Sequence, residues 1–215
     1  MKKTLLTLMA MMSILTAQAQ DEVTDLTLLR EFETAYVMLT SGRTTKVPFA
    51  NIFLKNASLL YKSGDKTMQA DMASVASVDI GKRHFININQ HLGECLYTDS
   101  VSGNSLYCVS LIDLDAYKRQ LQNATVITNL SLDENMGVTT AELLPPDERV
   151  LPLVRFYHMQ LNGKLVEVHE RPLKRVLSKE QRQRMYSQMA RTEFSWTQPE
   201  SLKDLLIAIS RVKEQ

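Results

Sequence analysis

The sequence predicts an α+β fold in which a mainly antiparallel sheet or small open barrel is followed by a β-hairpin and two C-terminal helices. Short apolar runs separated by turn residues extend from Ala35 to Leu111, a spacing typical of antiparallel strands. Asn162-Gly163 separates two extended runs, and this dipeptide favours a two-residue hairpin loop. Towards the C-terminus, helix start signals precede apolar residues spaced by three and four, which predicts helices.

The N-terminus is predicted to be a secretory signal peptide that covers residues 1–19. Two lysines near the start precede an apolar stretch from Leu5 to Leu15, and Ala17-Gln18-Ala19 has the small-x-small form that a signal peptidase cleaves. Cleavage removes two lysines and no acid, so the 25 basic and 24 acidic residues become 23 and 24. That balance does not require a nucleic-acid partner. No later stretch reaches the roughly 20 apolar residues of a spanning helix, so no transmembrane span is expected in the mature chain.

Composition divides the mature chain into three parts. Residues 20–122 are predicted to form a β-rich lobe with a short helix at its end, and residues 151–215 a lobe of one hairpin and two helices. Between them, residues 123–150 are polar, contain Pro145-Pro146 and show little periodicity, which is typical of a connector. One strand is a candidate within it, at Thr125–Leu132. Whether the two lobes share one core stays open.

The first lobe begins with a predicted hairpin. If Ser41-Gly42 is its loop, Thr40 faces Arg43 and Tyr36 faces Val47. Pro48 cannot donate to a ladder, so it is expected to end the second strand or to lie at an edge. Turns are expected at 63–66 and at 81–82, and the remaining strands are predicted at Ile52–Leu54, Leu59–Lys62, Ser77–Ile80 and His84–Ile88.

The second lobe begins with the Asn162-Gly163 hairpin. Taking these two residues as the loop places opposite charges across the ladder at two steps. The facing pairs would be Met159 with Val166, His158 with Glu167, and Arg155 with Glu170.

Three helices carry start signals. Asp113 can cap a short segment that contains Leu114, Tyr117 and Leu121. Ser178 and Gln181 form a capping-box pair before Met185 and Met189. Pro199 fits a first helical turn, and the last helix is expected to dock by its apolar stripe, which consists of Leu202, Leu205, Leu206, Ile209 and Val212.

Cys95 and Cys108 are the only two cysteines. A disulfide between them is predicted, because the chain is expected to reach an oxidising compartment and a turn-rich segment separates the two residues. With Ser100–Gly103 as a four-residue loop the two cysteines face each other, whereas a shorter Gly103-Asn104 loop would place Asp99 opposite Cys108. Two small buried apolar side chains are the alternative.

Motifs of catalysis, cofactor binding or metal binding are missing from the sequence. It has no Gly-x-Ser-x-Gly elbow, and its seven glycines are too scattered for a phosphate loop or a dinucleotide fingerprint. His91, Glu94 and Cys95 do not have a recognised zinc spacing. The histidines at 84, 91, 158 and 169 are explained more simply as surface or cross-strand residues. No catalytic residue, metal ligand or cofactor is predicted.

A basic segment offers a possible surface for an anionic partner. Residues 174–191 carry one acid, Glu180, and six basic residues: Lys174, Arg175, Lys179, Arg182, Arg184 and Arg191. Export favours phosphates of lipid or polysaccharide over nucleic acid as partners, and a solvated helix face is the competing explanation. Phe194 and Trp196 beside the segment could form a stacking platform or anchor an inter-helix turn in the core.

Two stretches resemble uncharacterised exported proteins of gut and oral Bacteroidetes. They are VPFANIFLKNASLLYKSGDKTMQADMASVASVDIGKRHFI at Val47–Ile86 and SLYCVSLIDLDAYKRQL at Ser105–Leu121. The Ala-Gln-Ala-Gln end of the signal peptide and the C-terminal lobe are similar to the same group. The resemblance implies a bacterial cell-envelope setting and carries no activity or site residues. In a bacterial protein, the glycosylation motif Asn-x-Ser/Thr at Asn56, Asn123 and Asn129 is then expected to occur by chance.

These features predict an exported, non-catalytic cell-envelope protein, periplasmic or secreted. As a binding or interaction module it would contact an envelope protein or an anionic polymer. The alternative is an exported hydrolase acting on a glycan or peptide, because many hydrolases assemble their sites from scattered Asp, Glu and His residues.

Overall fold

The computed structural model of the protein describes residues 26–120, 122 and 151–211. These residues form ten strands in one sheet, paired antiparallel, and four helices, so the predicted α+β class with a mainly antiparallel sheet is confirmed. The expected signal peptide, the connector at 123–150 with its candidate strand, Leu121 and Val212 lie outside the described residues.

The strands are β1 (Glu33–Leu39), β2 (Thr44–Phe53), β3 (Ser58–Ser63), β4 (Lys66–Gln69), β5 (Val75–Ile80), β6 (Arg83–Ile88), β7 (His91–Thr98), β8 (Ser105–Ile112), β9 (Leu153–Leu161) and β10 (Lys164–Glu167). The helices are α1 (114–120), α2 (Glu170–Val176), α3 (Lys179–Met189) and α4 (Pro199–Ser210). Their order across the sheet is β10-β9-β8-β7-β6-β5-β1-β2-β3-β4. None of these helices has the length and apolar character needed to cross a membrane.

The chain falls into two compact units. Of the described residues, the first contains those up to Ser110 and those from Arg155 onward, so it joins strands of the predicted first lobe to the hairpin and helices of the predicted second lobe. The second, Leu111–Val154, contains α1. The predicted cap of α1 is confirmed, because Asp113 Oδ1 accepts hydrogen bonds from the backbone N–H groups of Asp115 and Ala116 at 3.1 and 2.9 Å.

One hydrophobic core, called here the sheet cluster, is built from strands and the segment before β5. In β1 the buried residues alternate with exposed ones, which is the period of two expected for a strand with one buried face. The N–H of Leu92 in β7 donates to the carbonyl of Ala57 beside β3 at 2.7 Å, although four strands separate β3 from β7 in the sheet. The cluster consists of Ala35, Val37, Ala50, Ile52, Leu59, Met72, Val75, Val78, Ile80, Phe85 and Leu92.

The other core, called here the helix-covered cluster, lies where α2, α3 and α4 pack on β8 and β9. The predicted stripe of α4 is confirmed for its described residues, Leu202, Leu205, Leu206 and Ile209, which are all fully buried. The capping box of Ser178 and Gln181 is also confirmed. The cluster consists of Leu106, Cys108, Tyr157, Met159, Leu161, Val168, Leu173, Leu177, Met185, Leu202, Leu205, Leu206 and Ile209.

The hairpin between β9 and β10 has the predicted register near its loop. Met159 pairs with Val166 and His158 with Glu167, while Asn162 and Gly163 have φ angles of 50° and 79°, as a type I′ turn requires. The expected pairing of Arg155 with Glu170 is wrong, because the ladder ends at Glu167 and Glu170 begins α2. Pro172 suits that first helical turn, where a backbone N–H has no intrahelical acceptor.

The hairpin between β1 and β2 exists, but its predicted register is wrong by one residue. Tyr36 faces Lys46 rather than Val47, and the loop is the three residues from Thr40 to Gly42. Gly42 has a φ of 82°, which allows the three-residue loop that ends in a left-handed residue.

Pro48 does not end its strand and β2 is not an edge strand, so that expectation is also wrong. Glu33 pairs with Ala50 and Ala35 with Val47, which leaves Pro48 and its neighbour opposite a single residue of β1 in a bulge. The pairing with β3 begins only at Ala50. A proline is tolerated there because no ladder partner requires its missing N–H.

The turns expected at 63–66 and 81–82 are confirmed, since Ser63 pairs with Lys66 and Ile80 with Arg83. At the second turn Gly81 has a φ of 57°, and a Cβ there would lie 2.8 Å from Glu33 Oε2. Any side chain at this position would therefore meet both backbone strain and a close neighbour.

The loop between β7 and β8 is the predicted Ser100–Gly103, because the N–H of Asp99 donates to the carbonyl of Asn104 at 2.8 Å. A bulge at Leu96 then shifts the register. Cys95 faces Tyr107 and Cys108 faces Glu94, so the predicted facing of the two cysteines is wrong. Because side chains alternate between the faces of a sheet, the sulfurs point to opposite sides, and both cysteines are free thiols.

Candidate anion-binding groove

Helices α2 and α3 meet at a corner of two residues, Leu177 and Ser178. Leu173 and Leu177 are buried in the helix-covered cluster and hold α2 against it. On a helix anchored by one apolar face, the remaining side chains point away from the core. Arg171, Lys174 and Arg175 are accordingly exposed.

These side chains surround an open groove of about 420 Å³, called here the basic groove. Its lining consists of Glu170, Arg171, Lys174, Arg175 and Arg182. Four cations therefore face one carboxylate. Such an arrangement creates a local positive potential on a chain whose formal net charge is only +1.

The single acid of the groove is held by Lys174. Lys174 Nζ lies 3.7 Å from Glu170 Oε1 and 5.6 Å from the centre of the Tyr186 ring. The Tyr186 hydroxyl, followed by Glu170, holds the pKa of Lys174 above its usual value, so this lysine stays charged at neutral pH. Arg171 and Arg175 have no ion-pair partner among the described residues.

Arg182 enters the groove from α3. Its Nε donates to the carbonyl of Leu177 at 3.0 Å, which fixes the planar guanidinium at the corner between the helices. The two terminal nitrogens remain available to donate to a carboxylate or phosphate. The groove thus combines one oriented guanidinium with two exposed arginines.

The structure places only some of the six predicted basic residues in the basic groove. Lys174, Arg175 and Arg182 line the groove, whereas Lys179 and Arg191 do not. Arg184 donates through Nη1 to the carbonyl of Arg211. Since Arg182 and Arg184 are two residues apart on a helix, they point to opposite sides of it.

Sequence reasoning missed Arg171. Arg171 lies one helical turn before Arg175, and this spacing of four places both side chains on one face of α2. The predicted pairing of Arg155 with Glu170 places the segment around 170 at the end of a strand, whereas in the structure Glu170 begins α2.

Phe194 and Trp196 belong to the core rather than to a ligand platform. Both are partly buried and pack against the helix-covered cluster. Their rings meet edge to face at 4.9 Å, and Trp196 lies 6.0 Å from the His169 ring. They anchor the segment between α3 and α4, which was the second of the two predicted roles.

The residues considered as metal ligands are engaged elsewhere. Glu94 Oε1 and Oε2 accept hydrogen bonds from Arg83 at 2.6 and 2.5 Å, and His91 Nδ1 lies 2.8 Å from the carbonyl of Asn56. Within the part of the chain that the structure describes, no three His, Cys, Asp or Glu residues are grouped to hold a metal ion.

Comparison with known proteins adds no assignment. No protein-family model matches the chain, and no curated protein or solved structure is significantly similar to it. The function therefore has to be argued from the chain's own residues.

Proposed function

We propose that the protein is an exported, non-catalytic cell-envelope protein that binds an anionic polymer through the basic groove. The observation that carries this proposal is the lining of four cationic side chains against one carboxylate at an open corner of two helices. A phosphate-bearing polymer would meet several of these cations at once, and arginine's planar fork suits phosphate oxygens.

The composition of the groove favours binding over catalysis. General acid–base or nucleophilic catalysis requires a nucleophile, acid or base with a partner that activates it. The lining contains no His, Ser or Cys, and its one carboxylate lies against Lys174. Glu170 is thus engaged in balancing charge within the groove.

The cell-envelope setting is supported by the sequence. The signal-peptide pattern at residues 1–19 and the resemblance to exported proteins of Bacteroidetes both favour a periplasmic or secreted protein. In that setting, phosphates of lipids and polysaccharides are the abundant anionic partners for a basic groove.

We further propose that the sheet is rolled into a small open barrel. The hydrogen bond from Leu92 to Ala57 supports this, because it joins β7 to the turn that leads into β3, although four strands separate β7 from β3 in the sheet order. The two edge strands, β4 and β10, are only four residues each, and short edges limit unwanted strand pairing.

Binding of the purified mature protein to long-chain inorganic polyphosphate and to lipopolysaccharide tests the function. Binding should weaken as salt rises, because exposed charges are screened. The double variant Arg171→Glu/Arg175→Glu should weaken binding about tenfold or more, or about 1.4 kcal/mol.

The matched control is Lys179→Glu/Arg191→Glu, which makes the same charge change at two exposed residues outside the groove. It should retain most of the affinity. Equal losses in the two double variants would show that net charge, not the groove, binds the polymer. Turnover of the polymer that one Asp, Glu or His substitution abolishes would instead support the hydrolase alternative.

A further inference from the structure

A second cavity lies where three connections of the sheet converge: those between β2 and β3, between β4 and β5, and between β6 and β7. It has a volume of about 350 Å³ and is called here the polar cleft. Its lining consists of Asn56, Gln69, Ala70, Asp71, Met72, Asn89, Gln90 and His91. In contrast to the basic groove, no Lys or Arg lines it, and its one acidic residue is Asp71.

Hydrogen bonds to backbone groups hold the three turns of the cleft together. Asn87 Nδ2 donates to the carbonyls of Met72 and Val75 at 2.6 and 2.7 Å, and its Oδ1 accepts from the N–H of Gln90 at 2.8 Å. The hydrogen bond from Leu92 to Ala57 ties the third turn to the other two. The lining is therefore organised before any ligand arrives, which lowers the cost of binding.

The turn between β6 and β7 carries side chains where other hairpins of the sheet carry glycine. Asn89 and Gln90 form its two-residue loop and have φ angles of 51° and 70°. The turns at Gly42, Gly64, Gly81 and Gly163 use glycine for positive φ. A glutamine is disfavoured in this conformation, and strained residues of this kind concentrate at functional sites. Here the strained residue is Gln90, which adds its amide side chain to that of Asn89, so this turn supplies two of the four amide side chains of the cleft.

His91 presents an acceptor to the cleft. Its Nδ1 lies 2.8 Å from the carbonyl oxygen of Asn56. A carbonyl only accepts, so Nδ1 is the donor in this contact, and in the tautomer with a single hydrogen on Nδ1 the other nitrogen, Nε2, is an acceptor. Asp71 adds carboxylate oxygens, which accept from Ala73 N and Ser74 Oγ at 3.1 and 2.9 Å and retain further lone pairs.

We propose that the polar cleft binds an uncharged saccharide unit. Amide side chains donate and accept at adjacent atoms, and neighbouring sugar hydroxyls do the same. The imidazole Nε2 and the carboxylate accept from further hydroxyls, while Ala70 offers an apolar surface to the C–H groups of the ring. An anionic ligand is disfavoured because the cleft has no cation to pair with it. The proposal goes beyond anion binding by the basic groove and does not depend on it.

Calorimetric titration of the mature protein with neutral trisaccharides of glucose, galactose, mannose and N-acetylglucosamine tests this site. The deciding variant is Gln90→Gly, which removes the amide side chain and suits the positive φ. We expect its affinity for the bound trisaccharide to fall at least tenfold while its Tm rises by about 2–4 °C. A loss of folding cannot explain weaker binding by a more stable protein.

The matched control is Asn162→Gly, which replaces a residue of similar φ in the loop between β9 and β10, outside the cleft. It should leave the affinity unchanged, and so should Arg171→Glu/Arg175→Glu in the basic groove. Absence of binding to all four trisaccharides, or parental affinity in Gln90→Gly, would overturn the proposal whatever the basic groove binds.

Discussion

The two hydrophobic clusters of the first compact unit are built in different ways. The sheet cluster takes its residues from β1, β2, β3, β5, β6 and β7 and from Met72, so neighbours in space are far apart in sequence. The helix-covered cluster takes four of its residues from one turn-by-turn stripe of α4. A helical face is thus visible in a dozen consecutive residues, whereas the sheet face depends on the register of every strand pair.

Substitution of the α4 stripe should have the largest effect on stability. Leu206 is fully buried, and Leu206→Asp would both leave a cavity and bury a carboxylate, with an expected loss of at least about 4 kcal/mol. Lys203→Asp on the same helix would lose an exposed pair with Glu200 and should cost less than about 1 kcal/mol. Thermal unfolding compares them, and equal Tm values would show that the stripe is not the docking face.

Truncation in the sheet cluster tests whether the two clusters unfold together. Phe85 is almost completely buried, and Phe85→Ala should cost about 3–4 kcal/mol. Trp196, the only tryptophan, packs against the helix-covered cluster and reports on that region alone. Because both clusters belong to one compact unit, we expect the tryptophan transition in urea to shift together with the far-UV signal. An unshifted tryptophan transition would mean that the clusters unfold independently.

His158 on β9 should make a smaller, pH-dependent contribution to the free energy of unfolding. Desolvation by burial lowers the pKa of His158, and its Nδ1 is buried without a hydrogen-bond partner in the described structure. The unfolded chain then binds the proton more tightly than the folded chain. Its contribution to stability is complete above the ordinary pKa of about 6.5 and is lost as pH falls through that value towards the folded pKa.

The comparison of the parent with His158→Gln isolates this contribution, since all other groups titrate in both proteins. Between pH 7.5 and pH 5 the free energy of unfolding should fall more steeply for the parent. Parallel profiles would show that His158 is not the group responsible.

Cys95 and Cys108 should contribute no disulfide to the stability of the protein, and their thiols should differ clearly in reactivity. The observed register predicts two free thiols in denatured, unreduced protein expressed in a bacterial periplasm, whereas the disulfide predicted from the sequence would leave none. In the native protein Cys95 should react first, because burial raises the pKa of the Cys108 thiol and the thiolate is the reactive form. A titration that finds no free thiols would show that the bulge at Leu96 is absent in solution.

The candidate site was predictable in part. Lys174, Arg175 and Arg182 were identified because basic residues concentrate in that segment. Composition alone could not separate Arg184 from them, since the side of α3 that faces the core is set by where Met185 is buried. The polar cleft could not be found from sequence, because its three turns are far apart along the chain and come together only in the tertiary structure.

The sequence by itself determined the features that depend on neighbours a few residues apart. The caps at Asp113 and Ser178, the stripe of α4 and the Asn162-Gly163 turn are of this kind, because their hydrogen bonds and faces lie within about four residues. Only the tertiary structure decided the order of strands and the bulges beside Thr34 and at Leu96. A one-residue change of register alters no local preference, but it exchanges the two faces of a strand. The register is therefore set by which face is buried against residues that are distant in the sequence.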